Sequence, residues 1–255
     1  MNIKLFDIRA DFTFIPSLPR ALGATERLAD MQFSLVDVYG DDFIQEKIDH
    51  ISETGVLTGA SGRTRACDYI VIATGSRTNF DIHPSFKTYG YTVRYPEDIA
   101  PLNEALASAT HTTIVGGGYT GIEVACSLAT KKLGGKIRLV HRDSRFLQVY
   151  NKRVGDIACR YLQRRGVETL LNTTATEIDD RSILLSDGRR LPSDVTIVNT
   201  GIVINDGQHT PQISFHADTH VYQSLESDRI YTCGDVAVHG LYTTAHNAYE
   251  EGKRV

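Results

Sequence analysis

No apolar run in the 255 residues approaches the ~18 that a membrane-spanning helix needs. Nor does a charged-then-apolar leader precede a small-residue cleavage site, so the chain is expected to be soluble and cytoplasmic. No dense Lys/Arg block is present either, and 27 basic residues face 31 acidic ones for a net charge of −4. No nucleic-acid partner is expected on that ground. The four cysteines, Cys67, Cys126, Cys159 and Cys233, form no CxxC pair. Such spacing favours small buried thiols in a reducing compartment over a disulfide framework or a thiolate metal cage.

What is present is a repeated phrase. DYIVIATGSRTN (68–79) returns as DVTIVNTGIVIN (194–205), with Asp68 on Asp194, Thr74 on Thr200, Gly75 on Gly201 and Asn79 on Asn205. The offset of 126 also places Gly62-Arg63 on Gly188-Arg189. Each copy reads as a turn, a polar spacer, a buried strand and a Thr-Gly at the strand's end, which predicts a duplicated module.

TTIVGGGYTGIEVACSLATKKLGGKIRLVHRD (112–143) reads as a β-branched strand, a glycine turn, an amphipathic helix and a second strand. In it, Gly116-x-Gly118-x-x-Gly121 follows a strand and opens a helix. The first glycine of such a motif makes the turn, the second lets backbone approach a pyrophosphate, and the third lets helix pack on strand. Gly117, Tyr119 and Thr120 lie between them, where helix N–H groups would meet phosphate. The second strand ends in His141 and Arg142, not in the carboxylate of a typical NAD site. An arginine there suits a 2′-phosphate, so NADPH is favoured over NADH, with Asp143 able to fill the older role. Glu123 has two readings, a charge favoured by the helix dipole or an active-site acid.

Farther on, NKRVGDIACRYLQRRG (151–166) predicts a helix with Val154, Ile157, Ala158, Tyr161 and Leu162 on one face. An antiparallel meander is expected from 167 to 191. The first copy shows the same late parts, with MQFSLVDVY read as a strand, but it opens differently. NIKLFDIRADF lines up with KIRLVHRDSRF at an offset of 134, which puts Asp7 at a strand end where an acid would hold a ribose. By the same offset the first module's glycine turn would lie about eighteen residues before Met1, so its first βα unit is expected to be missing. Gly234-Asp235 after a strand is common turn chemistry, and Thr244 is a good N-cap for a helix through Ala245 and His246.

As a set, IVIATGS, IVGGGYTGIE, VNTG and IYTCGDVA resemble the pyridine nucleotide-disulfide oxidoreductase superfamily, the flavoproteins with two dinucleotide-binding domains. FDIRADFTFIPSLPRALGA looks most like the type II NADH:quinone oxidoreductases and apoptosis-inducing-factor-like relatives. The resemblance implies an α/β fold of two Rossmann-like modules, with an NAD(P) module (83–205) inserted between two parts of an FAD module (1–82 and 206–255). It implies that Ala73, Thr74, Gly75, Gly234 and Asp235 line the FAD, that Thr244, Ala245 and His246 face the flavin pyrimidine, and that Thr200 and Gly201 close the second module. Glu123 would stand near the nicotinamide and flavin rings. Residues 8–66 and 68–125 contain no cysteine, which excludes the dithiol and peroxidase-type members.

The expected activity is therefore FAD-dependent NAD(P)H oxidation, with electrons passing to a quinone-like acceptor without a thiol relay. Two rivals stand beside it: a fragment that only binds NAD(P)H, and a ferredoxin or rubredoxin reductase. No metal is expected, a homodimer is left open, and peripheral membrane contact is expected only through a region beyond Val255.

Overall fold

The computed structural model describes residues 2–205, 223–224, 227–237 and 243–255. Two compact units are present, one of residues 13–32 and 78–202, the other of 1–12, 33–77 and 203–255. The chain crosses between them at 12/13, 32/33, 77/78 and 202/203. Residues 13–32, expected with the first module, fold with the second. The cause is packing: Leu18, Ala21 and Leu22 are fully buried in the core that holds Leu102, Val124 and Leu128. Asn103 fastens the same segment, accepting from Gly23 N (2.6 Å) and donating to Ala21 O (3.1 Å) and Thr25 Oγ1 (2.8 Å).

The inserted unit is built on five parallel strands, in the order Gly90–Tyr91, Val195–Val198, His111–Val115, Lys136–Val140, Glu168–Leu170. Its central strand is β-branched from Thr112 to Val115 and buried throughout, as suits a parallel sheet covered on both faces. Asp194 fixes where that strand starts, accepting from Thr110 N (2.8 Å), Thr110 Oγ1 (2.7 Å) and His111 N (2.9 Å). The Thr110 hydroxyl, with those amides, holds the Asp194 carboxyl below its usual pKa.

Helix Tyr119–Lys131 carries the chain from the central strand to its neighbour. Helix Lys152–Arg164, capped by Asn151 Oδ1 on Val154 N (3.3 Å), covers the next crossing. Its buried side runs through Gly155 and Leu162, with Cys159 between. Ile157 and Tyr161, expected inside, are exposed instead, and the Arg165 guanidinium lies 3.6 Å over the Tyr161 ring. Gly155 explains the rotation: a Cβ there would press on the carbonyl of Phe146, so the helix docks by this side.

The other unit repeats the plan in pieces. Leu5–Asp7 pairs in parallel with Phe43–Gln45, and Ile70–Ile72 with Ile230–Thr232. Among the described residues no strand joins these two pairs, whereas His111–Val115 joins their counterparts. Burial follows: Val71 is 50 % exposed, but its repeat mate Ile197 is 0 % exposed in the core shared with Ile122 and Leu128. The duplication itself reaches fine detail. The meander Ile48–Ile51, Val56–Gly59, Thr64–Ala66 matches Ala175–Ile178, Ser182–Leu185, Arg190–Pro192, and both have a register shift in the first strand.

The repeated Thr-Gly phrases bind each other. Thr74 Oγ1 donates to Asn205 O, and its mate Thr200 Oγ1 donates to Asn79 O, both at 2.7 Å. Asn205 N donates to Gly75 O (2.9 Å) and Asn79 N to Gly201 O (3.0 Å). Each Thr-Gly phrase therefore closes its own unit on the asparagine of the other phrase.

Candidate functional site

The turn between strand His111–Val115 and helix Tyr119–Lys131 gives its three glycines three different surroundings. Gly116 has φ +109, and a Cβ on it would strike the Asn199 carbonyl. A Cβ on Gly121 would strike the carbonyl of Gly116, so helix and turn touch there. Around Gly118 a Cβ would meet nothing within 4 Å. That glycine is the helix N-cap, in an extended conformation, exposed, and without a side-chain cap bond. The N–H groups of Tyr119 and Thr120 follow at the positive end of the helix dipole. Two buried donors without hydrogen-bond partners flank the turn, Asn199 Nδ2 and His141 Nε2. An open backbone cradle beside the buried Asn199 Nδ2 donor suits an anionic, pyrophosphate-bearing ligand.

His141 is placed beneath the turn. Its Nδ1 accepts from Gly117 N at 3.0 Å, and its ring packs on Phe146 with centroids 5.7 Å apart. An accepting Nδ1 puts the ring proton on Nε2, which lies 3.4 Å from Asp143 Oδ2. Burial pushes the His141 pKa below its ordinary value, against a smaller opposing pull from Asp143. Protonation would cost the Gly117 hydrogen bond. The unfolded chain, with a histidine pKa of ~6.5, takes up the proton first. Stability should then be fully present above that pH and fall as the pH drops below it towards the folded value. We expect the urea midpoint to decline as the pH falls below about 6.5, and His141→Asn to flatten that decline. An equal decline in the variant would assign it to other groups.

Arg142, unlike His141, points outward. Its side chain is 79 % exposed, with Nε 3.6 Å from Asp143 Oδ2. Glu123 lies one turn into the helix, exposed at its surface, where partial burial raises its carboxyl pKa. The four cysteines are free. Burial pushes the thiols of Cys67, Cys126 and Cys233 above the usual value, which keeps them protonated and poorly nucleophilic.

In the other unit, Asp7 ends its strand exposed, and its Oδ1 accepts from Arg9 N at 2.8 Å. Ala73 and Thr74 are exposed and Gly75 (φ +68) half-buried, just after strand Ile70–Ile72. The neighbouring strand Ile230–Thr232 leads to Gly234 (φ +76) and Asp235, whose Oδ2 accepts from Ser76 Oγ at 2.7 Å. Parallel pairing of these two strands is what brings the Thr-Gly and Gly-Asp phrases together. Thr244 Oγ1 caps helix Ala245–Gly252 by accepting from Asn247 N (3.2 Å), leaving Ala245 and His246 exposed in its first turn. Sequence reading missed Ser76, Asn199 and Glu251. Ser76 had a signal, since it directly follows the Thr-Gly phrase; the other two had none.

A parallel sheet with a glycine turn at its central strand, open only at the second glycine, defines a dinucleotide-binding protein of the Rossmann type. The chain belongs to the pyridine nucleotide-disulphide oxidoreductase family, whose model matches residues 24–252. The ferredoxin reductase component of chlorobenzene dioxygenase from Cupriavidus sp. (strain PS12) is 33 % identical over 186 residues, 69 % of this chain and 45 % of that protein. A ferredoxin reductase for the CYP199A2 system from Rhodopseudomonas palustris superposes with a TM-score of 0.85 at 19 % identity, covering 99 % of this chain and 68 % of that one. NDH2 from Plasmodium falciparum gives 0.80 at 17 % identity, covering 92 % and 59 %. These two likenesses show the fold. The chain spans about half the length of the curated relatives it matches. Among the described residues no helix is long and apolar enough to cross a membrane, and no cluster of metal-ligating side chains occurs.

Proposed function

We propose that the chain is the two-module core of an FAD-dependent NAD(P)H oxidoreductase that uses no redox disulfide. The observation that carries this reading is the open cradle at Gly118, in a turn whose other two motif glycines are close-packed. Backbone at Gly118 and the N–H groups of Tyr119 and Thr120 would hold the NAD(P)H pyrophosphate, with Gly117 kept in place by His141. Thr200 and Gly201 close that module at the end of the neighbouring strand. Glu123, one turn into the helix, would stand beside the nicotinamide; partial burial raises its carboxyl pKa. Asp7, Ala73, Thr74, Gly75, Gly234 and Asp235 would hold FAD, with the Asp235 carboxylate, steadied by Ser76, accepting from ribityl hydroxyls. The helix start at Thr244, Ala245 and His246 offers N–H groups to a pyrimidine edge that becomes negative on reduction. Held by these residues, FAD would supply hydride acceptance from nicotinamide and onward electron transfer, while the protein supplies position and charge.

Arg142, exposed at the strand end, supports NADPH over NADH. Arg142→Ala is expected to raise KM for NADPH about tenfold, roughly 1.4 kcal/mol, and to leave KM for NADH unchanged. Equal changes for the two nucleotides would remove Arg142 from the 2′-phosphate.

As acceptor we favour a ferredoxin-type carrier protein, because relatives sharing 30 to 33 % identity are ferredoxin reductases. A quinone remains the second reading, supported by the FDIRADFTFIPSLPRALGA segment. NADPH-driven reduction of a [2Fe–2S] ferredoxin and of menadione, measured with added FAD, separates the two. Faster turnover with ferredoxin supports the first reading; turnover with menadione alone supports the second.

A further inference from the structure

Glu251 is placed against two general costs. It is 3 % exposed, and it sits in the last turn of helix Ala245–Gly252, where the helix dipole disfavours negative charge. Its neighbour Glu250 takes the ordinary course, partly exposed and paired with Lys253 Nζ at 3.0 Å. A carboxylate held inside at a helix C-terminus needs a specific compensating contact. Here Glu251 Oε2 accepts from the backbone N of Gly234 at 2.7 Å.

That contact ties together two pieces of the same unit. Gly234 has φ +76 and opens the short 3-10 turn Gly234–Val236, which carries Asp235. The helix that carries Glu251 begins at Thr244, Ala245 and His246. Asp235 is steadied from its other side by Ser76 Oγ. We propose that Glu251 is a positioning residue for flavin binding, locking the Gly234-Asp235 turn to the helix whose N-terminus faces the ring. The inference rests on the flavin reading above. Acting through the Gly234 N–H, Glu251 sets where the Asp235 carboxylate stands without touching the ligand.

The test compares Glu251→Gln with Glu251→Ala in the full chain. A glutamine oxygen can accept the same N–H, whereas alanine cannot. In the wild type and the glutamine variant, the Gly234 amide should exchange slowly with deuterium and FAD affinity should agree within about threefold. In the alanine variant the amide should exchange fast, and FAD affinity should fall about tenfold or more. Loss of FAD affinity in both variants alike would overturn the proposal, because burial of the charge and not the Gly234 contact would then matter. Full FAD affinity in the alanine variant would overturn it too. Should the wild type bind no FAD, the flavin reading fails, while amide exchange still decides whether Glu251 holds Gly234.

Discussion

Gly118→Val should leave folding stability almost untouched and abolish tight NADPH binding. Gly118 has an extended backbone that valine can adopt, and a Cβ there meets no atom within 4 Å. The melting temperature should move by no more than about 2 °C, the equivalent of roughly 0.5 to 1 kcal/mol for a chain of this size. The side chain would instead occupy the space that a pyrophosphate needs against the helix start. Binding should weaken by about 100-fold or more, some 2.7 kcal/mol. Gly121→Val must behave differently, because its Cβ falls on the Gly116 carbonyl and pushes helix from turn. That variant should lose both stability and binding. Calorimetry and a fluorescence titration with NADPH on the two proteins measure both quantities. Unchanged binding in Gly118→Val would remove the glycine turn from the site.

The second large effect concerns the two copies of one strand. Ile197→Asp should destabilise the inserted unit by about 4 kcal/mol or more, since it buries a carboxylate among aliphatic side chains. Ile197 is fully buried with Ile114, Ile122 and Leu139 in one core. Val71→Asp, the same change at the repeat mate, should cost less than about 0.5 kcal/mol, because that side chain is half exposed. Urea denaturation of the two variants gives the comparison. Similar losses would contradict the difference in burial between these two repeat mates.

The repeat was legible in the sequence because it is written in local chemistry. Turn glycines, Asp-Gly pairs, β-branched strands and Thr-Gly ends each impose a backbone shape on a few residues, and two copies at a fixed offset reinforce one another. The glycine turn was legible for the same reason. Features decided by distant packing were not. Residues 13–32 show no regular period, since they fold as two 3-10 segments, and only the burial of Leu18 and Leu22 assigns them to the inserted unit. MQFSLVDVY looks like one strand but splits at Ser34, whose hydroxyl accepts from Asp37 N (3.2 Å) and starts helix Leu35–Tyr39. Ile157 and Tyr161 carried the helical period as well as Leu162 did, and the contact at Gly155 turned them outward. The position of His141 pointed to a ligand contact, and only the fold adds that its Nδ1 accepts from the Gly117 amide. Glu250 and Glu251 are chemically identical neighbours, and only the fold makes one a surface ion pair and the other a buried acceptor.

We propose that this chain binds both FAD and NADPH, and that NADPH reduces the bound flavin. The most direct test is the visible absorption spectrum of the purified chain with added FAD, gel-filtered to remove free flavin and then mixed anaerobically with NADPH. A protein-bound flavin band that bleaches on mixing is the expected result. A chain that emerges without flavin, or whose flavin band NADPH leaves unchanged, would contradict it.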